Sequence, residues 1–396
     1  MFLRQIATVA GGAAAGQLIV LATTPWLARM YPPAAFGEYA AFLSMCNVFV
    51  ATACFRYDAA LNAADDDKVA SLFGAAFLAT LATAGFGALA VWSPWAHALL
   101  GRVVGEGASV WNVAAAAIVC GVFQASSAMA IRDGRFAWSS LLRLAQPAVF
   151  SIAALLSPIG LIYSCLLGFA VATPLALRYL TRLDWAGLAR VVPSAWRFRE
   201  FPIVSLPTSL LDAGSLAMPI WFISSQYSSH DAGNYAQAQR LLAAPLTLFA
   251  MALGQVFLKR AGDIVRQGAS PRAFQRRVAV WLALGAGVLL LGVMLLGRPV
   301  LHLFLGDGWR TDTEFLVLVF LPVAVRSCVS PVTGIFIVKA RLRICAIWQA
   351  LYFCITGAVF YSLAGHVPIE QLLIAYAISE TVCYGLYLYI ADKVAG

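Results

Sequence analysis

Apolar stretches long enough to cross a bilayer, about 20 residues each, recur along the whole chain and constrain its fold more than any other feature. Of the 396 residues, 62% are hydrophobic and only 11% are charged. Soluble domains have about 45–50% apolar and about 25% charged residues. Because lipid offers backbone polar groups no hydrogen bonds, such stretches must be helical, and alternating strand patterns are absent. The sequence therefore predicts an all-α polytopic membrane protein.

About 12 transmembrane helices can be delimited. Their approximate ranges are 7–28, 37–61, 69–92, 109–131, 141–157, 160–178, 202–226, 233–258, 279–297, 313–338, 343–363 and 368–391. The first apolar run leads directly into a second one, so we interpret it as an uncleaved helix rather than a signal peptide.

The basic residues are distributed unequally between the two sides of the predicted membrane. Of the 27 Lys and Arg residues, twenty fall in the segments on the side of the N-terminus, four fall in the opposite loops, and three lie within spans. By the positive-inside rule, both termini are predicted to be cytoplasmic. The net charge of +9 is then a consequence of topology, and no nucleic-acid partner is expected.

A short motif occurs near the start of each half of the chain. It consists of a proline, an aromatic residue, a tyrosine and a Gly-x-Tyr-Ala sequence: Pro25, Trp26, Tyr31 and 37–40 in one copy, Pro219, Trp221, Tyr227 and 233–236 in the other. Six spans separate the copies, so both have the same orientation, as in transporters built from parallel repeats. We predict a six-helix bundle at 1–180, an amphipathic cytoplasmic linker at the membrane interface at 181–201, and a second six-helix bundle at 202–396.

Ionisable side chains within the predicted spans are candidates for function, because each costs about 2.5–3.5 kcal/mol on insertion scales. They are Arg56, Asp58, Asp212, Arg240, Arg326 and Glu380. On a continuous helix, Arg56 and Asp58 would point about 200° apart. Structural ion pairs between Arg326 and Glu380, or between Arg240 and Asp212, are an alternative interpretation that the sequence leaves open.

Signatures of catalysis and of metal binding are missing. The sequence has no HExxH, GxSxG, Walker or GxGxxG motif and no CxxC pair among its eight Cys. The run Asp65–Asp67 is interpreted as a solvated turn, because consecutive carboxylates do not all face one ion. No cofactor and no metal are expected. The spacing of Gly12 and Gly16 predicts a close helix–helix contact.

The chain resembles the oligosaccharide flippases of bacterial O-antigen and capsule synthesis, which belong to the multidrug/oligosaccharidyl-lipid/polysaccharide exporter superfamily. The similar segments cover nearly the whole chain and include GQLIVLATTPWLARMYPPAAFGEYAAF, FRYDAAL, FPIVSLPTSLLDAGSLAMPIWF, AGNYAQAQRLLAAPLTLFAMALGQVF and LFLGDGWRTDTEFLVLVFLPVAVRSCVSPVTG. The resemblance implies two parallel six-helix bundles around a central cavity. It also implies alternating access that flips undecaprenyl-diphosphate-linked oligosaccharide from the cytoplasmic to the periplasmic leaflet of the bacterial inner membrane.

For this cargo we predict two groups of residues. Guanidinium groups suit phosphate and aromatic rings suit sugars, so the predicted substrate-binding residues are Arg56, Arg240, Arg326, Gln17, Tyr39 and Trp221. Buried carboxylates can take up a proton, so the predicted ion-coupling residues, for an H+ or Na+ gradient, are Asp212, Glu380 and Asp58. The polymerase and the chain-length regulator of the same pathway are the further partners that the resemblance implies.

Two other functions stay open. An ion-coupled multidrug or toxin extruder of the same superfamily should have a mainly acidic or aromatic cavity, whereas these spans contain three Arg against three carboxylates. A membrane-bound polysaccharide polymerase or acyltransferase is less favoured, because it would need a large periplasmic loop or a buried catalytic His. The sequence predicts neither.

Overall fold

The structure, a computed structural model, describes residues 2–105, 109–157, 159–181, 189–339 and 341–396. The chain separates into two compact units, Met1–Ala232 and Gly233–Gly396, which we call the first and the second unit. All regular elements among the described residues are helices.

The first unit combines long helices with short helical turns. It contains α1 (Phe2–Met30), α2 (Pro33–Thr52), α3 (Tyr57–Ala60), α4 (Val69–Trp92), α5 (Pro94–Val104), α6 (Val110–Arg132), α7 (Phe136–Leu156), α8 (Gly160–Ala170), α9 (Thr173–Leu180), α10 (Val191–Arg197) and α11 (Leu206–Gln226). The starts of α5 and α6 are capped by Ser93 and Ser109, whose hydroxyls accept hydrogen bonds from backbone amides of the first turn.

The second unit is built from fewer and longer helices. It contains most of α12 (Ser229–Arg266), followed by α13 (Arg272–Leu305), α14 (Thr313–Val329), α15 (Ile335–Val338), α16 (Leu342–Leu363) and α17 (Ile369–Ala395). Arg310 ties three of them together at one end, through ion pairs to Asp312 (2.7 Å) and Glu370 (2.8 Å) and a backbone amide that donates to Asn234. Partial burial raises the pKa of Asp312, but hydrogen bonds from Arg310 and from a backbone amide outweigh it and the net shift is downward.

Ten helical segments among the described residues are long and apolar enough to cross a membrane. The predicted all-α polytopic membrane fold is therefore confirmed. The predicted spans 7–28 and 233–258 fall within α1 and α12, which are not among the ten. As membrane spans, these two segments stay predictions.

The predicted span 37–61 is not one continuous helix, and this prediction is wrong near its end. Helix α2 ends at Thr52, and Phe55 and Arg56 have positive φ angles of 48° and 62°. Each non-glycine residue in this left-handed region costs about 1–3 kcal/mol. Residues 53–56 contain no Gly or Pro, so the sequence has no signal for the interruption.

Helices α1 and α7 approach each other closely through the small residues of α1. A Cβ atom built on Gly16 would lie 2.7 Å from Arg143 O and 2.7 Å from Pro147 Cγ, and one built on Gly12 would lie 2.3 Å from Ser140 Oγ. The helix contact predicted from the Gly12-xxx-Gly16 spacing is confirmed.

Replacing Gly16 by Ala should lower the thermal stability of the purified protein, because the new methyl group overlaps the backbone of α7. Overpacking of this kind costs about 1–3 kcal/mol. Gly11→Ala is the matched control, since nothing lies within 4 Å of a Cβ atom built on Gly11. Thermal unfolding in detergent compares the two variants. Equal unfolding midpoints would contradict the close contact.

The described part of the predicted linker has one buried and one exposed face. In α10, Val192 is 74% exposed and Trp196 is 69% exposed, whereas Ser194 is buried and its hydroxyl hydrogen-bonds that of Ser71 at 2.8 Å. This pattern agrees with an amphipathic segment at the membrane interface. Residues 182–188 of the predicted linker lie outside the described residues.

Helix α11 packs against the helices of the first unit. The Trp221 indole donates to Ala41 O at 3.1 Å, and the Ser224 hydroxyl donates to Val103 O at 2.7 Å. The unit boundary after Ala232 reflects this packing, whereas the sequence assigns residues from 202 onwards to the second bundle. The predicted division at 1–180, 181–201 and 202–396 stays a prediction.

Candidate functional site

Asp58 is the centre of a polar cluster in the first unit. Its side chain is buried, and Oδ2 accepts a hydrogen bond from Gln124 Nε2 of α6 at 2.8 Å. The Nη1 atom of Arg56 lies 4.0 Å from the same oxygen. Because an unpartnered buried carboxylate is strongly unfavourable, Gln124 and Arg56 together allow Asp58 to be held here.

Arg56 reaches Asp58 because the backbone is left-handed at Arg56. The predicted separation of about 200° between the two side chains is wrong, since α2 has already ended at Thr52. The Nε–H group of Arg56 donates to Ser205 Oγ at 3.2 Å, and the side chain is 26% exposed. An arginine has five N–H donors, and Nε–H is the one with a hydrogen-bond partner in the described part of the chain.

The strained turn at Phe55–Arg56 is attached at two points, one at the start of α11 and one in the linker. Arg56 bonds Ser205, which lies in the π-helical turn Phe201–Ser205 that leads into α11. Its neighbour Tyr57 donates from its hydroxyl to Ala195 O in α10 at 3.2 Å. Both π-helical turns and strained backbone occur frequently at functional positions. The cluster around Asp58 is therefore coupled mechanically to the start of α11.

The remaining predicted residues of the first unit have different surroundings. Tyr39 is 4% exposed, and its ring stacks on Phe150 with centroids 4.9 Å apart, so it belongs to the packed interior. Trp221 is half-buried and hydrogen-bonded to backbone, and Gln17 is half-buried on α1. Asp212 is exposed on α11.

A second cluster lies in the second unit around Glu380 of α17, which is fully buried. Nη2 of Arg326, from α14, donates to Glu380 Oε1 at 3.1 Å. The hydroxyl of Tyr352, from α16, donates to the same oxygen and accepts a hydrogen bond from Arg326. The ion pair between Arg326 and Glu380, one of the two interpretations left open by the sequence, is present.

The pair is incompletely satisfied. Glu380 Oε2 and Arg326 Nε are both buried and have no hydrogen-bond partner among the described residues. The Arg326 side chain is 23% exposed, whereas that of Glu380 is 0% exposed. One carboxylate oxygen and one guanidinium N–H group of this pair therefore have hydrogen-bonding capacity that the described residues do not use.

Aromatic rings surround this ion pair. The Trp348 ring stacks on Tyr352 at 5.1 Å and on Tyr387 at 3.9 Å, and the Arg326 guanidinium carbon lies 5.6 Å and 5.7 Å from the rings of Tyr352 and Tyr384. Sequence reasoning missed Trp348 and Tyr352. Their spacing of one helical turn on α16, the helix before Glu380, was a usable signal.

Two further predictions concern Arg240 and metal ions. Arg240 is half-buried on α12, and its predicted pairing with Asp212, a residue of the first unit, stays a prediction.

Asp65 pairs with Lys68, and Asp66 pairs with Arg132 at 2.6 Å, as expected of a solvated turn. Within the described ranges, no group of three His, Cys, Asp or Glu side chains is placed to hold a metal ion.

Comparison with known proteins adds information on both family and fold. Residues 26–313 match a family described as "polysaccharide biosynthesis protein". No protein of curated function matches the chain in sequence.

Three solved structures of similar fold are transporters. The inward closed conformation of the lipid II flippase MurJ has a TM-score of 0.75 and 12% identity, covering 97% of this chain and 87% of that one. An inward-facing multidrug resistance MATE family transporter of the MOP superfamily has a TM-score of 0.62 and 12% identity, covering 98% and 94%. A mutant of the Vibrio cholerae MATE transporter VcmN has a TM-score of 0.52 and 12% identity, covering 98% and 96%.

Proposed function

Because the chain belongs to the polysaccharide biosynthesis protein family, we propose that it flips undecaprenyl-diphosphate-linked oligosaccharide across the bacterial inner membrane. The family match and the structural likeness to a lipid II flippase and to MATE transporters confirm the resemblance stated from the sequence. They also support a membrane transporter rather than an enzyme. The direction proposed, from the cytoplasmic to the periplasmic leaflet, is the one that the resemblance implies, and the distribution of basic residues predicts only the orientation of the chain.

One observation carries the proposal: each unit contains a partly buried arginine with unused hydrogen-bond donors beside a buried carboxylate. These pairs are Arg56 with Asp58 and Arg326 with Glu380. A diphosphate is an anion rich in acceptor oxygens, and the planar fork of guanidinium donors matches it. Without cargo, the carboxylate compensates the arginine charge, which reduces the cost of keeping that charge inside the membrane.

Binding of a diphosphate would then be an exchange of partners. The phosphate oxygens take the guanidinium donors, and the carboxylate that loses its arginine has to bind a proton or a cation, because an isolated buried carboxylate is strongly unfavourable. This exchange couples cargo movement to an H+ or Na+ gradient. Asp58 and Glu380 are the carboxylates proposed for it, and Asp212 is the third candidate.

The position of Arg56 suits the loading side. Its strained turn follows the end of α2, and the adjacent Tyr57 hydrogen-bonds Ala195 of the linker segment that the positive-inside rule places in the cytoplasm. Arg326 is the candidate for contacting the cargo diphosphate later, in the second half of the transport cycle. Trp221, Gln17 and Arg240 are further candidates for contact with the cargo, whereas Tyr39 would have to leave its stack on Phe150 before it could meet a sugar.

The proposal is tested in vesicles that contain the purified protein. A polyprenyl-diphosphate sugar with a fluorescent label is placed in one leaflet, and its movement is followed by quenching with a membrane-impermeant reagent. We expect label to change leaflets at least about tenfold faster than in protein-free vesicles, and to respond to an imposed H+ or Na+ gradient, because coupling requires ion uptake by a carboxylate.

A fluorescent organic cation is the matched probe for the alternative function. Uptake of the cation driven by an ion gradient, with no movement of the lipid-linked sugar, would identify an extruder and overturn the proposal. A labelled polyprenyl lipid without the diphosphate sugar is the control for nonspecific lipid scrambling, and it should stay in its leaflet.

A further inference from the structure

One end of the second unit carries a dense group of exposed cations. They are Lys259 and Arg260 on α12, Arg277 on α13, and Arg341 and Arg343 at the start of α16. We call these five residues the basic rim. None of them forms an ion pair with another residue in the described part of the chain.

The three segments of the basic rim belong to one surface because they surround one buried cluster. The cluster includes Phe257 from α12, Val278 from α13 and Trp348 from α16. The rings of Phe257 and Phe274 stack at 5.7 Å, which holds α12 and α13 side by side at this end of the second unit. Each rim residue is close in sequence to one of these packed positions.

The depth of the basic rim follows from the apolar residues next to it. Arg260, Arg277 and Arg343 each lie near one end of their helix. One turn further from that end, each helix has a highly exposed apolar residue. These residues are Val256 (58% exposed), Trp281 (62%) and Ile347 (70%). On membrane helices such side chains face acyl chains, so the cations lie about 5.4 Å further out, at the level of the lipid headgroups.

The acidic residues at this end are few and already paired. Asp263 pairs with Arg266, and Asp392 pairs with both Arg272 and Arg276 at 2.6 Å. The predicted cytoplasmic segments of the first unit contain six acidic residues, at positions 65, 66, 67, 133, 184 and 200. The predicted cytoplasmic segments of the second unit contain two, Asp263 and Asp392. The positive-inside rule explains the cations but not this scarcity of acids, since carboxylates contribute little to it.

We propose that the basic rim binds the phosphate groups of anionic phospholipids in the surrounding leaflet. Basic residues next to an anionic membrane surface each strengthen binding about fivefold, and here five of them are exposed, uncompensated and at headgroup depth. Such lipids would hold the α12–α13 hairpin at a defined depth. The inference does not depend on the cargo and would survive failure of the flippase proposal.

The test compares two triple variants of the full chain purified in detergent. Lys259→Gln/Arg260→Gln/Arg277→Gln removes three charges from the basic rim. Arg178→Gln/Arg190→Gln/Arg197→Gln removes three exposed charges from the predicted cytoplasmic end of the first unit. Short-chain phosphatidylglycerol is titrated against each protein, with phosphatidylcholine as the zwitterionic control, and the bound lipid is counted by native mass spectrometry.

We expect phosphatidylglycerol to bind in preference to phosphatidylcholine. The rim variant should bind phosphatidylglycerol about a hundredfold more weakly, while the first-unit variant binds like the unmodified protein. Equal losses in the two variants, or no preference for the anionic lipid, would overturn the proposal. Equally strong competition by inorganic phosphate would also overturn it, because the surface would then be a site for soluble anions.

Discussion

Arg326→Met should abolish movement of the lipid-linked sugar and also lower the stability of the protein. Its partner Glu380 is 0% exposed, so the substitution leaves a buried carboxylate without its guanidinium. Removing one partner of a buried ion pair costs about 3–5 kcal/mol. The measurements are flipping in vesicles and thermal unfolding in detergent, each normalised to the amount of folded protein.

A double variant separates the structural from the functional role of this pair. Arg326→Met/Glu380→Gln removes both charges, and replacing both partners of a buried ion pair is often neutral for stability. We expect it to regain most of the unfolding midpoint and to remain inactive, because the guanidinium that meets the diphosphate is gone. Flipping at the normal rate by the double variant would show that Arg326 serves folding alone.

Arg56→Gly should reduce flipping by about 10- to 150-fold, the worth of one hydrogen bond to a charged group, and should destabilise the fold less than Arg56→Ala does. Arg56 has a φ angle of 62°. Glycine adopts this conformation freely, whereas other residues pay about 1–2 kcal/mol for it. Arg56→Gly should therefore unfold at a higher temperature than Arg56→Ala, although both lack the side chain. Flipping and thermal unfolding of the two variants are measured side by side.

Ser205→Ala is the control for the contact that Arg56 makes. It removes the hydrogen-bond acceptor of Arg56 Nε but keeps the guanidinium, so flipping should be retained. If Ser205→Ala were as inactive as Arg56→Gly, the important feature would be the attachment of this turn to the start of α11, and not the charge of Arg56.

The helices were predictable because the bilayer limits the choices available to the backbone. Apolar runs of bilayer length have to form helices in lipid, and ten such segments are present among the described residues. The contact of Gly12 and Gly16 with α7 was predictable for a similar reason, since small residues spaced by four place a flat surface on one helix face.

The site was predictable only in its residue types. Arg56, Asp58, Arg326 and Glu380 were identified because ionisable groups are costly in apolar spans. Their partners were harder to find, since Gln124 and Tyr352, which hydrogen-bond Asp58 and Glu380, are both uncharged. An uncharged polar residue in a span has no distinctive cost in the sequence, so its role becomes visible only when the helices are packed.

By itself, the sequence determined the helical class, the approximate spans and the charged residues within them, because each follows from the local cost of placing a residue in lipid. Tertiary structure alone decided which of these residues meet. Arg56 lies beside Asp58 because the backbone at 55–56 is left-handed, a strained conformation held by contacts with Ser205 and Ala195, about 140–150 residues away in the chain. Contacts between such distant residues depend on packing and leave no periodic signal in the sequence.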